Sequence, residues 1–76
     1  MKKMYMFETG DFGDDDLYRS KYYRDKDEAV KDAKSFSRLK KKGVRLFGFN
    51  AIHGEIIGRI DYNDGNASFV SKEKVI

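Results

Sequence analysis

In DKDEAVKDAKSFSRLKKKG, residues 25–43, the apolar residues recur with the spacing of a helix. At about 3.6 residues per turn, Ala29, Ala33 and Phe36 fall on one face. Val30 and Leu39 fall at the two edges of that face. We therefore predict one helix over residues 25–42, with this apolar face packed against the rest of the chain.

Both ends of this segment carry helix-ending signals. Asp25 or Asp27 can accept hydrogen bonds from the free N–H groups of the first turn. Asp25 and Glu28 also have the spacing of a capping box, with Asp in place of Ser or Thr. Gly43 follows three lysines and is predicted as the glycine just beyond the helix, where a left-handed conformation is common.

The face opposite the apolar residues is cationic. Its five basic residues lie within an arc of roughly 100°. A stripe of one sign attracts an acidic protein surface or a nucleic acid. The alternative is a solvated helix face whose late lysines complement the negative end of the helix dipole. The stripe consists of Lys31, Lys34, Arg38, Lys41 and Lys42.

Outward from the helix, alternating apolar and polar residues predict five strands. Asp64-Gly65 is a tight-hairpin signal, since both residues tolerate positive φ, and His53-Gly54 marks another turn. The predicted fold class is α+β, a single antiparallel sheet with one helix packed on one face, in the order ββαβββ. The predicted strands are residues 3–9, 17–23, 44–52, 55–62 and 67–72.

Alternation in the third and fourth strands predicts which residues the helix covers. The covered set is apolar or small and consists of Val44, Leu46, Gly48, Ile52, Ile56, Gly58, Ile60 and Tyr62. The opposite, open face then carries Arg45, Phe47, Phe49, Ile57 and Arg59.

Aromatic residues mixed with arginines are unusual on the open face of an antiparallel sheet. This face is predicted to contact a partner protein or a second copy of the chain, where aromatic residues and Arg are enriched. It could instead be additional core, or it could stack nucleic-acid bases. The run KGVRLFGF, residues 42–49, only faintly echoes an RNA-binding strand motif, because the aromatic spacing after Lys42-Gly43 is wrong.

The predicted second strand interleaves tyrosines with cations. Tyr18, Ser20 and Tyr22 are expected on one side of it. Such tyrosines stack bases or anchor an interface, or they pack at a sheet edge with a solvated hydroxyl. A direct DNA- or RNA-binding function would use the set Lys31, Lys34, Arg38, Tyr22 and Tyr23.

Composition limits the chemistry. The 76 residues are predicted to form a single domain, 1–76. The sequence has no cysteine and one histidine, which excludes disulfides and thiolate zinc sites. His53 has no supporting catalytic group, so we expect no enzyme activity, no cofactor and no metal site. No apolar run is long enough for a membrane span, and we expect no signal peptide.

The acidic loop GDFGDDD, residues 10–16, is expected to be solvated, but one alternative function remains. Its aspartates lack the spacing of a calcium-binding loop. Such a loop could still mimic phosphate charge or dock on a basic partner.

The chain resembles the small anti-CRISPR proteins that phages and prophages carry against type I-F systems. The likeness lies in the initial Met-Lys strand, the basic helix with Ala29, Ala33 and Lys34, and the closing Asp64-Gly65 hairpin. It covers most of the chain in architecture. The chain departs from the family in its GDFGDDD insertion and in lacking a tryptophan after the hairpin.

The resemblance implies a non-enzymatic inhibitor in the cytoplasm of a bacterial host. Such a protein would dock on a host protein or ribonucleoprotein complex and block access to target DNA. Lys31, Lys34 and Arg38 would make that contact. The alternatives from the residues themselves remain a direct nucleic-acid binder and a homodimeric interaction module that pairs through Phe47 and Phe49.

Overall fold

The computed structural model describes residues 2–10 and 16–70. One helix packs on a five-stranded antiparallel sheet, which confirms the predicted α+β class. The elements are β1 (Lys3–Thr9), β2 (Tyr18–Arg19), α1 (Lys26–Lys40), β3 (Val44–Asn50), β4 (Ile56–Asn63) and β5 (Asn66–Val70). Their order across the sheet is β2-β1-β3-β4-β5.

The central pair of the sheet is β1 and β3. They pair in one unbroken register, from Lys3 opposite Asn50 to Thr9 opposite Val44. The helix connects the edge strand β2 to the central strand β3 and packs across β1, β3 and β4. One face of the sheet is therefore covered by α1, and the other face has no element packed on it within the described residues.

The core lies between the helix and the covered face. Alternate residues of the strands point into it, as the sequence alternation predicted. The helix contributes alanines, which let it approach the sheet closely. The buried apolar residues are Tyr5, Phe7, Tyr23, Ala29, Ala33, Val44, Leu46 and Tyr62.

The helix begins as predicted but ends earlier. The Asp25 side chain accepts a hydrogen bond from the Asp27 N–H group at 3.2 Å. At the other end, Lys41 rather than Gly43 takes the left-handed conformation, with φ 54°. Gly43 instead lies against β1, where its carbonyl oxygen accepts a hydrogen bond from the Thr9 hydroxyl at 2.5 Å.

The buried face of the helix is shifted from the predicted one. Leu39 is 79% exposed, whereas Ser37 is fully buried. Ser37 occupies the position one turn after Ala33, and its hydroxyl has partners on both sides. It donates to the Lys34 carbonyl oxygen at 2.9 Å and accepts from the Gly65 N–H group at 2.8 Å. A polar residue is therefore buried because it ties the helix to the β4–β5 hairpin.

The predicted second strand is interrupted by a bulge. Thr9 lies opposite Tyr18, and Tyr5 lies opposite Tyr23. The chain therefore advances by five residues from Tyr18 to Tyr23 but by only four from Tyr5 to Thr9. Within this segment the Phe7 N–H group donates to the Ser20 hydroxyl at 2.9 Å. The extra residue reverses the alternation.

The tyrosines of this segment therefore do not lie as predicted. Tyr18 and Tyr23 point to the helix side, where Tyr18 stacks on Phe36 with 4.9 Å between ring centroids. Tyr22 packs against Phe49 on the open side. The prediction that Tyr18 and Tyr22 share a side was wrong, because simple alternation does not anticipate a bulge.

Part of the predicted covered set is wrong because β4 contains a second bulge. Gly48 lies opposite Gly58, but Phe49 lies opposite Ile56, so Ile57 is the extra residue on β4. Ile56 moves to the open face beside Phe49 and is 63% exposed. Ile52 lies beyond the end of β3, in a turn, and is 72% exposed.

Both predicted turns are present. Asp64 and Gly65 have φ values of 51° and 80° and connect β4 to β5. The Asn50 side-chain oxygen accepts from the Ile52 N–H group at 2.9 Å and so stabilises the β3–β4 turn. Residues 71 and 72 of the predicted fifth strand lie outside the described residues, as do residues 11–15 of the acidic loop.

Candidate binding surfaces

Three cations of the predicted stripe form one surface, here called the basic helix flank: Lys31, Lys34 and Arg38. All three side chains are exposed. The Lys34 ammonium lies 5.9 Å from the ring centroid of Tyr62. The Arg38 guanidinium covers Gly65 so closely that a β-carbon at that position would stand 2.5 Å from its Nη2 atom. The flank thus projects to solvent from a helix held against β4 and its hairpin.

No ion pair joins the basic helix flank to a carboxylate among residues 2–10 and 16–70. A partner would therefore not have to break an internal salt bridge in order to contact these cations. Their positive charge adds directly to the field that an approaching anion meets.

The stripe is shorter than the sequence predicted. Lys41 adopts the left-handed conformation that ends the helix, so the position of Lys42 no longer follows from the helical period. Lys42 lines a different depression, beside Thr9, Tyr18 and Phe36. Lys41 and Lys42 are both exposed, but Lys42 does not extend the basic helix flank.

The opposite flank of the helix is acidic and internally satisfied. The Tyr23 hydroxyl donates to the Asp32 carboxylate at 2.8 Å. Burial, reinforced by this hydrogen bond, raises the pKa of Tyr23 well above its ordinary value. Glu28 lies 3.9 Å from the Lys21 ammonium. The helix is therefore polarised, with acceptors toward β2 and, within the described residues, cations without ion pairs toward β4.

The second surface is the open sheet face, the side of the sheet that α1 does not cover. At one end it is apolar: Met4 and Met6 of β1 lie opposite Phe49 and Phe47 of β3. Tyr22 packs edge-on against Phe49, with the ring centroids 5.6 Å apart at 70°. Two depressions, of about 540 and 310 Å³, meet at these two rings.

At its other end the open sheet face is charged but internally paired. Glu8 accepts from the Nε atoms of Arg19 and Arg45, each at 3.3 Å. Arg59 donates twice to the Asp61 carboxylate, both times at 2.8 Å. The hydrogen bond to Asp61 raises the pKa of the Arg59 guanidinium. These arginines are therefore held by the protein's own carboxylates.

The predicted partner-binding residues thus divide between two sides of the molecule. Arg45, Phe47, Phe49 and Arg59 lie on the open sheet face, away from the basic helix flank. The predicted nucleic-acid set is also divided. Tyr22 lies on the open sheet face, whereas Tyr23 is buried beside the helix, so neither joins the helix cations.

Sequence reasoning missed several residues of the open sheet face. Lys2, Arg24 and Ile52 line the larger depression, and Ile56 lines the smaller one. The alternation of Met4 and Met6 was a signal for part of this surface. No local signal indicated Ile56, because its position depends on the bulge in β4.

The remaining features are the single histidine, metal-ligating side chains, membrane-spanning helices and the acidic loop. His53 is exposed in the β3–β4 turn. Among the described residues, no cluster of three or more acidic or histidine side chains is placed to hold a metal ion. Within that same part of the chain, no helix has the length and apolarity to cross a bilayer. Asp11, Asp14 and Asp15 of the acidic loop lie outside the described residues.

Comparison with known proteins identifies no relative: no family model, curated protein or solved structure matches the chain. Function is therefore inferred from the two surfaces. Their chemistry differs, since one offers unpaired cations and the other offers aromatic rings beside paired arginines.

Proposed function

We propose that this chain is a small binding protein that docks the basic helix flank on an anionic surface of a host complex and thereby inhibits that complex. The observation that carries the proposal is the state of three cations: Lys31, Lys34 and Arg38 are exposed, and none has an ion pair in the described part of the chain. In this function the chain acts by occupying a surface rather than by catalysis.

The geometry of the flank supports docking on a surface. The three cations follow one another at intervals of three and four residues, so they form a row along the helix. A row of cations steers an anionic partner during diffusional encounter and fixes its orientation on contact. Arg38 adds a planar guanidinium, which can bind a carboxylate or phosphate through two hydrogen bonds.

The resemblance to type I-F anti-CRISPR proteins favours a CRISPR surveillance complex as the host complex. Such a complex carries an RNA guide and works in the bacterial cytoplasm, so this location is part of the proposal. Docking there would block access of the target DNA. The resemblance draws on the element order and on the Asp64-Gly65 hairpin, and the structure contains both.

The test uses a purified type I-F surveillance complex and a labelled target DNA. The chain is expected to co-elute with the complex in size-exclusion chromatography and to lower its binding of target DNA in a gel-shift assay. The triple variant Lys31→Gln, Lys34→Gln, Arg38→Gln should lose both effects while its circular dichroism spectrum stays that of the parent.

A matched control removes the same charge from exposed positions outside the flank: Lys21→Gln, Lys26→Gln and Lys40→Gln. This control should inhibit as well as the parent chain. Equal inhibition by the flank variant would overturn docking through the flank. Failure of the parent chain to co-elute or inhibit would overturn the surveillance complex as the target.

A further inference from the structure

The open sheet face has a feature that the proposed docking function does not use: an aromatic centre within a cationic rim. Tyr22 is 65% exposed and forms a T-shaped contact with Phe49. Phe47 lies two residues before Phe49 on the same central strand, so both rings point to the same side. We propose that this face binds single-stranded nucleic acid by stacking bases on these rings.

The position of the phenylalanines on β3 supports the proposal. Sheets that bind RNA place stacking aromatic rings on central strands, in a strand motif with the pattern Lys/Arg-Gly-aromatic-Gly/Ala-Phe. When Arg45 is aligned with the first position, Phe47, Gly48 and Phe49 fill the third, fourth and fifth. Leu46 takes the place of the first glycine, and its side chain is instead fully buried under the helix.

The alignment matters because the structure gives the side chains the required directions. Arg45, Phe47 and Phe49 alternate with the buried residues Leu46 and Gly48. The basic residue and both rings therefore share the open sheet face. In the alternative alignment, with Lys42-Gly43 first, the strand has not yet begun, since β3 starts at Val44.

The rim of the larger depression supplies charge for a nucleic-acid backbone. Lys2 and Arg24 line it together with Tyr22 and Phe49. Both cations are exposed, and neither forms an ion pair within residues 2–10 and 16–70. Surfaces that bind single-stranded nucleic acid combine aromatic rings, which stack on bases, with nearby cations, which contact phosphates.

The same charges argue against a second copy of the chain as the occupant. The two depressions are lined by three cations, Lys2, Arg19 and Arg24, and by one carboxylate, Glu8. A symmetric dimer formed through this face would bring like charges together, which costs free energy. A polyanion gains from the same arrangement, because each phosphate contact releases condensed counterions.

The test measures binding of two fluorescein-labelled probes of roughly ten nucleotides, oligouridine RNA and oligothymidine DNA, by fluorescence anisotropy at about 50 mM salt. We expect the parent chain to bind, with affinity that falls as salt rises. Phe49→Leu and Tyr22→Leu keep apolar volume but remove a ring, and each should weaken binding by about tenfold. Binding of either probe supports the proposal.

Leu39→Ala, an exposed apolar position on the helix, is the matched control and should bind as the parent does. The proposal is overturned if neither probe binds, or if both ring variants bind as tightly as the parent. It is also overturned if sedimentation shows a dimer that Phe49→Leu dissociates.

A further measurement, with the same probes and the basic helix flank variant, distinguishes this proposal from the proposed docking function. Loss of probe binding in the Lys31→Gln, Lys34→Gln, Arg38→Gln variant, with binding retained in Phe49→Leu, would move the nucleic-acid site to the basic helix flank and overturn the assignment to the sheet. Inhibition of the surveillance complex is measured on the same variants and can fail independently.

Discussion

The basic helix flank and the charged end of the open sheet face have similar residue types but opposite electrostatic states. The flank's Lys31, Lys34 and Arg38 face solvent without ion pairs in the described part of the chain. On the sheet, Arg45 is held by Glu8 and Arg59 by Asp61. The number of cations in a sequence therefore does not show how many are available to a partner.

The reason for this difference is the neighbourhood that each element provides. A cation on β3 lies between side chains of β1 and β4. For Arg45, the residues opposite on these strands are Glu8 and Asp61. The cations on the outer flank of the helix have uncharged neighbours: Lys34 lies by the Tyr62 ring and Arg38 lies over Gly65. The Arg45–Glu8 pair therefore depends on strand register, whereas the Arg59–Asp61 pair follows from same-face spacing along β4. Exposure on the helix follows from the helical period.

The largest expected effect compares a leucine on the covered face of the sheet with an exposed leucine on the helix. Leu46 is fully buried under the helix, and Leu46→Ala should lower the free energy of unfolding by about 2–5 kcal/mol, because it leaves a cavity in a close-packed core. Leu39→Ala removes the same atoms from an exposed site and should change it by only about 0.5 kcal/mol. Urea denaturation measures both. Equal losses would mean that the helix is rotated from the orientation described.

The next effect removes the internal pairing on the sheet. Glu8→Gln deprives Arg19 and Arg45 of their shared carboxylate and should cost about 1–2 kcal/mol in urea denaturation, since both pairs are partly exposed. It should also make the open sheet face more cationic and strengthen its binding of heparin. Unchanged heparin binding would contradict the view that Glu8 neutralises this end of the face.

A smaller effect tests the acidic flank of the helix. Tyr23→Phe removes the hydrogen bond to Asp32 and should cost about 1 kcal/mol near neutral pH. Because the folded state raises the pKa of Tyr23 above its ordinary value of 10.0, the neutral tyrosine stabilises the fold below that pH. This stability is lost as the pH rises above about 10 and the unfolded chain ionises first.

The measurement for Tyr23 is a series of urea denaturation curves on the alkaline side of neutrality. The parent should lose stability more steeply above about pH 10 than Tyr23→Phe does. Tyr5 and Tyr62, whose pKa values burial also raises, remain in both proteins and serve as an internal control. Parallel curves would show that Tyr23 does not contribute to the alkaline loss.

The smallest expected effect on stability belongs to the basic helix flank. Lys31→Gln and Lys34→Gln together should shift the free energy of unfolding by about 0.5 kcal/mol or less, because neither lysine has an ion pair to lose in the described structure. Chemical denaturation at low and high salt measures this. A large, salt-dependent loss would mean that these lysines stabilise the fold, and the contrast with the sheet arginines would disappear.

Local patterns in the sequence predicted the helix, the hairpin and the fold class. The period of Ala29 and Ala33, a cap at Asp25 or Asp27, and Asp64-Gly65 indicated these features, and the structure contains the helix, a cap at Asp25 and the hairpin. Exposure of the helix cations also followed from the sequence, since a helix that buries one face must present the other to solvent.

Which side chains share a surface depends on the tertiary structure. The one extra residue between Tyr18 and Tyr23 and the extra residue Ile57 reverse the alternation, and a bulge depends on how two strands pair rather than on either strand alone. The neutralisation of Arg45 likewise requires Glu8, which is 37 residues away along the chain. Local periodicity acts over a few residues, so it specifies helices and strands and places Arg59 on the same side as Asp61, whereas strand register and the Arg45–Glu8 pair arise only when distant segments meet.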